Sequence, residues 1–241
     1  MQRANRFSSA FCHRHVVLPV IHVQCREQAV RNATMAREAG ADGVFLINHG
    51  ITFGQLLEVH NAVEDAHRDW WIGVNCLDLD PEVVFARVSS LVAGVWVDNA
   101  MIREDQEDQP AAQAVLDSQR RNGWKGLYFG GVAFKYQRPV DDLRTAVVLA
   151  RNYMDVVTTS GPGTGKPAHV EKIHTMKAAL GDFALAIASG ITPENVTDYL
   201  PFSDCYLVAS GISRTFNELD PLMVKRLLDT VRSYDGQRRQ R

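Results

Sequence analysis

Three side chains in this sequence are placed to move protons or hold charge at one level of a fold: Asp98, Lys135 and His22. Asp98 ends the apolar run Gly94-Val-Trp-Val97. A carboxyl at a strand end, beside an apolar wall, has its pKa raised by burial and suits general acid–base work. Lys135 lies just past the bend Gly130-Gly131 and is expected to reach Asp98 from the neighbouring strand end. It can hold Asp98 ionised as an ion pair, or act as an amine nucleophile on a carbonyl substrate. A rim ion pair with a purely structural role is the plainer alternative. Tyr136, Gln137 and Arg138 follow Lys135 and do not desolvate it, which favours an electrostatic or acid–base role over a Schiff base. His22 is a further acid–base candidate. Cys76 is expected to pack as a small hydrophobe.

The stretch Val156 to Ile191 supplies a second kind of chemistry. The apolar pair Val156, Val157 leads through Thr158, Thr159 and Ser160 into the loop Gly161-Pro-Gly163-Thr-Gly165-Lys166-Pro167. Val170, Ile173, Met176 and Leu180 then recur at helical spacing. A second apolar run, Ala184 to Ala188, ends in Ser189-Gly190. Strand, loop, helix and strand in that order put both loops on one edge of a parallel sheet. Glycines allow backbone N–H groups to approach an anion, and Lys166 adds positive charge. Phosphate or carboxylate binding follows, with a plain flexible loop as the alternative. A P-loop would need Gly at position 160 and Ser or Thr at 167, where this chain has Ser160 and Pro167. The alternating Gly161, Gly163 and Gly165 are too closely spaced for a dinucleotide fingerprint.

Composition narrows the classes. The 241 residues are the usual length of one barrel domain, long enough for a core without disulfide staples. Cys12, Cys25, Cys76 and Cys205 are scattered without a CxxC pair, which disfavours zinc and points to a reducing, cytoplasmic setting. Cys12-His-Arg-His15 is the one local cluster of metal-ligand types, and no metal site is assigned to it. A net charge of −2 argues against nucleic acid as a partner. No apolar run reaches the roughly 18 residues of a membrane span. Arg14 and His15 interrupt the start, so no secretory signal is expected.

Strand and helix patterns alternate eight times. The strands are expected at Val16 to Val23, Val44 to Ile47, Trp71 to Asn75, Gly94 to Val97, Gly126 to Phe129, Val156 to Thr159, Ala184 to Ala188 and Cys205 to Val208. Helices are expected from about Arg26 to Ala39, closed by Gly40, then over Leu56 to Val63, and from Pro81, capped by Asp80. Further helices should start at Pro110, at about Asp141, at Val170, at Thr192-Pro193 and at Pro221. Eight evenly spaced units with apolar strands indicate an α/β fold, a single-domain (β/α)8 TIM barrel over residues 16–235. Residues 1–15 form a basic N-terminal arm, and 236–241 a short basic tail expected to fray.

In such a barrel chemistry collects at the C-terminal strand ends. Beyond the three acid–base candidates, those ends carry Asn48, His49, Asn75, Asn99, Ser160, Ser189 and Ser210. Any one of them can merely satisfy loop backbone. The loops Ser189-Gly190-Ile191 and Ser210-Gly211-Ile212 follow strands seven and eight, where barrels frequently hold phosphate. With Gly161, Gly163, Gly165 and Lys166 they are expected to surround one anion. A bulky residue at position 190 is expected to abolish that binding and leave folding largely intact.

At these loops the chain resembles the BtpA family. The matching segments are Gly73-Val-Asn75, Ala100 to Gln106, Asp155 to Gly161 with Thr164-Gly165-Lys166-Pro167, and Ser189-Gly190-Ile-Thr-Pro-Glu-Asn195-Val196. The resemblance covers nearly the whole chain and implies a TIM barrel with a phosphate-type pocket. Two functions stay open. One is an enzyme acting on a phosphorylated sugar or nucleoside-like small molecule, as an isomerase, a lyase, or a glycosyl or phosphoribosyl transferase. The other, implied by the family's link to photosystem I accumulation, is a non-catalytic assembly or stability factor that uses the barrel as a scaffold. The sequence specifies no cofactor and leaves a homo-oligomer open.

Overall fold

In the computed structural model, which describes residues 6–238, eight parallel strands close in sequence order into a barrel. They are β1 (Val16–Val23), β2 (Gly43–Asn48), β3 (Trp71–Asn75), β4 (Gly94–Val97), β5 (Leu127–Gly131), β6 (Val156–Thr159), β7 (Leu185–Ala188) and β8 (Cys205–Val208). The ring shuts where Val16 pairs with Cys205 and Pro19 with Val208. Among the described residues no helix is long and apolar enough to cross a membrane.

The two faces of each strand serve different layers. Along β1, Val16, Leu18 and Val20 point into the barrel, while Val17, Ile21 and Val23 meet the surrounding helices. Burial on both sides is why these strands read as continuous apolar runs. Aromatic rings pack against one another through the interior: Phe45 lies 5.1 Å from Trp71 and 5.2 Å from Phe129, ring centre to ring centre. Small residues make room for them. A Cβ on Gly73 would sit 2.4 Å from the Phe45 ring, and one on Gly94 would sit 2.3 Å from the Trp71 ring. Ala184, Ala186 and Ala188 line the same interior.

The outer ring comprises α2 (Arg26–Glu38), α3 (Phe53–Ala66), α4 (Pro81–Arg87), α5 (Pro110–Arg121), α6 (Leu143–Ala150), α7 (Val170–Leu180), α8 (Val196–Tyr199) and α9 (Pro221–Arg238). Pro81 and Pro110 stand at helix starts, where a missing N–H costs nothing. A full capping box between Thr52 and Gln55 opens α3.

The structure departs from the sequence reading at several edges. Helix α8 begins at Val196, not at Thr192. The intervening residues form a separate turn, in which Asn195 Oδ1 accepts the Thr192 N–H at 2.8 Å and Asn195 Nδ2 donates to the Gly190 carbonyl at 2.8 Å. Helix α6 starts at Leu143, with Asp142 accepting from the amides of Arg144 and Thr145. Strand β5 runs on through Gly131, where a Cβ would lie 1.8 Å from the Asp98 carbonyl oxygen; only glycine lets the two strand ends come this close. Helix α9 continues past Tyr234 to Arg238, and residues 239–241 of the expected tail lie outside the described residues.

The expected N-terminal arm is a floor. A short helix α1 (Arg6–Ala10) seats Phe7 against Phe129, centroids 6.4 Å apart, and Phe11 follows against Trp71 at 5.3 Å. Arg6 pairs with buried Asp155 at 2.7 Å and donates to the Gly126 carbonyl at 2.8 Å. The N-terminal end of the barrel is closed, so the other end is the one that can admit a ligand. Residues 1–5 of the arm lie outside the described residues.

Candidate functional site

A cavity of about 360 Å³ opens at the C-terminal ends of the strands. Inward side chains of the topmost layer, Val20, Ile47, Trp96 and Leu207, form its base. Alternation along each strand dictates this, because the residue two past an inward one faces inward again. Thus His22 follows Val20, Asp98 follows Trp96 and Ala209 follows Leu207 into the same opening.

Asp98 Oδ1 accepts a hydrogen bond from Asn75 Nδ2 at 3.0 Å. Burial pushes its carboxyl above the usual range, opposed by the Asn75 bond and by the charges of Lys135 and His49. Asn75 is itself buried and acts on the cavity only through Asp98. The expected ion pair between Asp98 and Lys135 does not form: among the described residues Asp98 has no cation within 4 Å. Lys135 Nζ instead lies 3.3 Å from Ser189 Oγ and 3.4 Å from Thr164 Oγ1. The backbone sets that direction. Ala133 and Tyr136 both have positive φ, at 48° and 61°, and the Lys135 amide is tied to Ser160 Oγ at 2.8 Å. Non-glycine residues in this region are strained and concentrate at functional sites.

His22 Nδ1 lies 2.9 Å from the Phe216 carbonyl. A carbonyl only accepts, so Nδ1 carries the hydrogen and Nε2 keeps a lone pair. Burial, then the neighbouring His49 and Lys135, lower the His22 pKa to about 4. His49, 4.8 Å away ring to ring, is lowered by burial and by Lys135, with Asp98 opposing. At neutral pH His22 is therefore a neutral acceptor at the cavity wall. Cys76 is buried, its thiol pushed up to about 12 mainly by desolvation, and it is inert as a nucleophile.

The glycine-rich loops meet as one rim. A Cβ on Gly165 would come 3.9 Å from Ser210 Oγ, which brings the loops after β6 and β8 together. Gly163 lies beneath Tyr136, whose hydroxyl is 3.3 Å from Thr164 Oγ1. Three glycines serve loop packing directly. A Cβ would lie 2.1 Å from Lys166 O at Gly161, 2.4 Å from Lys166 O at Gly190, and 2.0 Å from Ile191 O at Gly211. Gly190 also has φ +74°. A bulky residue at 190 would strain the backbone and displace the Lys166–Pro167 segment, so the expectation that folding would survive that change is corrected. Ser189, at φ +82°, and Ser210 both line the cavity, whereas Lys166 is exposed at its outer edge.

Other sequence candidates are occupied elsewhere. Asn48 is buried; it donates to Ile51 O at 3.2 Å and to Asp78 at 2.6 Å, and accepts the Leu77 amide at 2.7 Å. Its role is to hold the loop after β3. Asn99 is exposed, and its Oδ1 caps the Met101 amide at 2.9 Å. Ser160 is fully buried under the Lys135 loop, as its bond to the Lys135 amide requires.

The sequence reading did not single out Lys172 or Phe216, and it placed Tyr136 at the strand-five end and Thr164 in the glycine-rich loop without giving either a role. Lys172 reaches from α7 beneath the loop after β5 and donates to Ala133 O at 2.6 Å and Ser160 O at 2.8 Å. Burial lowers its ammonium to about 8, while the two carbonyls facing it favour the charged form. Phe216 carried a readable signal: it is the only aromatic in the polar segment from Ser213 to Asp220.

Among the described residues no group of three His, Cys, Asp or Glu side chains is placed to hold a metal ion. The Cys12–His15 cluster splits: His13 meets Asp42 at 2.6 Å, while His15 lies 2.5 Å from Asp235 and 2.8 Å from the Leu200 carbonyl.

The chain matches no family model. It is 25% identical over 210 residues to an uncharacterised protein of Thermococcus kodakarensis, over 78% of this chain and 77% of that one. Among solved structures, native KDPGal superposes with a TM-score of 0.69 at 16% identity, covering 94% of this chain and 98% of that one. (S)-3-O-geranylgeranylglyceryl phosphate synthase of Thermoplasma acidophilum, solved with sn-glycerol-1-phosphate, has a TM-score of 0.66 at 16% identity, covering 95% and 97%. Phosphoribosylanthranilate isomerase of Thermotoga maritima has a TM-score of 0.62 at 15% identity, covering 91% and 99%. At these identities the likeness is one of fold.

Proposed function

We propose that this chain is a BtpA-like barrel enzyme acting on a phosphorylated small molecule, with Asp98 as its general acid–base. The observation that carries the reading is the shared cavity at the strand ends. There Asp98 stands opposite a rim that offers Lys135 Nζ and the hydroxyls of Thr164, Ser189 and Ser210. Hydroxyls and an ammonium that has no carboxylate partner among the described residues suit a phosphate, whose oxygens accept from each. Neighbours of the same fold include proteins whose substrates carry phosphate, which supports the choice.

The chemistry follows from the placement. A carboxyl whose pKa is raised by burial takes and returns a proton near neutral pH more readily than an ordinary aspartate. Asn75 fixes its orientation. Lys135 lies close enough to influence Asp98 and can stabilise a developing oxyanion without a covalent bond. Isomerases and lyases that shift a proton next to a carbonyl need this pair of roles.

A thermal-shift screen tests the reading. Sugar phosphates, nucleoside monophosphates and their dephosphorylated counterparts would be compared at equal concentration. A ligand at 100 times its Kd adds about 2.7 kcal/mol of stability. The expected result is a rise in melting temperature with phosphorylated members only. Equal shifts with dephosphorylated compounds, or no shift with any member, would overturn it.

A further inference from the structure

We infer that the ligand carries a flat aromatic or heteroaromatic ring as well as its phosphate, as a nucleoside monophosphate does, and that the ring lies on the His22–His49–Phe216 wall. The inference rests on the proposed phosphate reading and specifies the other half of the same ligand.

The cavity has two chemically different sides, which meet on the loop after β8, where Ser210 and Phe216 both stand. Lys135, Thr164 and Ser189 stand on the loops after β5, β6 and β7. His22 lies near the end of β1, His49 and Leu77 follow β2 and β3, and Phe216 comes from the loop after β8, beside β1. In an eight-stranded ring β1 to β3 face β5 to β7 across the opening. Asp98, after β4, lies between the two arcs. A ligand with its phosphate on one arc must place its remaining atoms against the other.

That other arc carries three rings in mutual contact, whereas the phosphate arc carries the single ring of Tyr136, whose hydroxyl lies by Thr164. The His22 ring lies 4.0 Å from the Phe216 ring at 35°, and His49 stands edge-on to both, at 4.8 Å and 5.2 Å. Phe216 is 56% exposed and Leu77 41% exposed, both at the cavity mouth. Both line one concave opening, and apolar walls of a concave site suit the apolar part of a ligand. The backbone at and just after Phe216 is tied down by hydrogen bonds. Asn217 Nδ2 donates to the His22 carbonyl at 2.9 Å, Asn32 Nδ2 to the Asn217 carbonyl at 3.2 Å, and the Leu219 amide to Asn32 Oδ1 at 2.9 Å. A ring with an N–H or amino group also finds an acceptor here, because the Nδ1–H of His22 is committed to Phe216 and Nε2 is left with its lone pair. A bare sugar phosphate would leave this wall wet.

The test is isothermal titration of the full-length protein with ribose 5-phosphate, adenosine 5′-monophosphate and uridine 5′-monophosphate, on the wild type and Phe216→Ala. Phe216 is exposed, so the variant is expected to fold, and its melting curve checks this. Stacking of one base predicts that at least one nucleotide binds roughly tenfold or more tightly than ribose 5-phosphate to the wild type. In Phe216→Ala the affinities should converge. Equal affinities in the wild type, or an advantage that survives in the variant, would overturn the ring inference and leave the phosphate reading standing. Absence of binding by all three would overturn both.

Discussion

Asp98 is the residue on which the proposed chemistry turns, and its burial gives two separable consequences. Asp98→Asn keeps the shape and the acceptor for Asn75 but removes the proton. Turnover of the natural substrate should fall by roughly 10²–10⁴-fold. Stability should move the other way. The folded-state pKa lies above the unfolded value near 3.9, so the ionised carboxylate carries a cost at neutral pH that is absent below about pH 4. The variant should therefore melt no lower than wild type at pH 7, and the difference should close as the pH falls towards 4. Melting curves across that range check the sign. His22 works in the opposite pH direction. Its pKa falls from 6.5 to about 4 on folding, so the unfolded chain takes up a proton that the folded chain refuses. Stability is lost as pH drops from about 6.5 to about 4. His22→Asn should make that slope shallower without abolishing it, because His49, His60 and His67 are lowered as well. An unchanged slope would show that His22 does not titrate as described. At this scale the sequence was partly legible. Asp98 and His22 fall at the cavity because alternation along a strand is regular. The partner of Lys135 was not readable, since positive φ at Ala133 and Tyr136 has no glycine to announce it.

At the scale of elements, the site is a set of loops braced from behind. Lys172 ties the ends of β5 and β6 together through the Ala133 and Ser160 carbonyls, directly beneath the turn that aims Lys135. Ala133 O keeps a second donor, Thr159 Oγ1 at 3.1 Å, so Lys172→Met would chiefly orphan Ser160 O. A buried polar group left unpaired costs about 1–3 kcal/mol. For a protein of this size that is a fall in Tm of roughly 2–12 °C. Differential scanning calorimetry checks it, and an unchanged Tm would mean the bonds are not made in solution. The loop after β4 is tied to the loop after β5 by Arg138, which pairs with Glu104 and holds that carboxyl down at about 2. Periodicity found α7 and its apolar face readily, yet it gives no sign that a lysine on the first turn reaches inward.

At the scale of the whole molecule, a floor and a mouth divide the labour. The aromatic interior is continuous from Phe7 and Phe11 at one end to Trp96 and Phe134 at the other. Phe7→Ala would open a void under Phe129 and cost about 3 kcal/mol, readable as a lower midpoint in urea. A midpoint equal to wild type would show that α1 does not seal the barrel. The eight-fold alternation was legible because strands buried on both faces leave unbroken apolar runs. The floor was not, because a five-residue helix shows no period, and its role depends on contacts with Trp71 and Phe129, far off in sequence.

A phosphorylated ligand bound at the mouth is the central expectation. A crystal structure with adenosine 5′-monophosphate or ribose 5-phosphate bound tests this most directly. The predicted result is a phosphate within hydrogen-bonding distance of Lys135 Nζ and the hydroxyls of Ser189 and Thr164, with Asp98 facing the sugar. A phosphate held anywhere else on the molecule, with this cavity filled only by solvent, would contradict it.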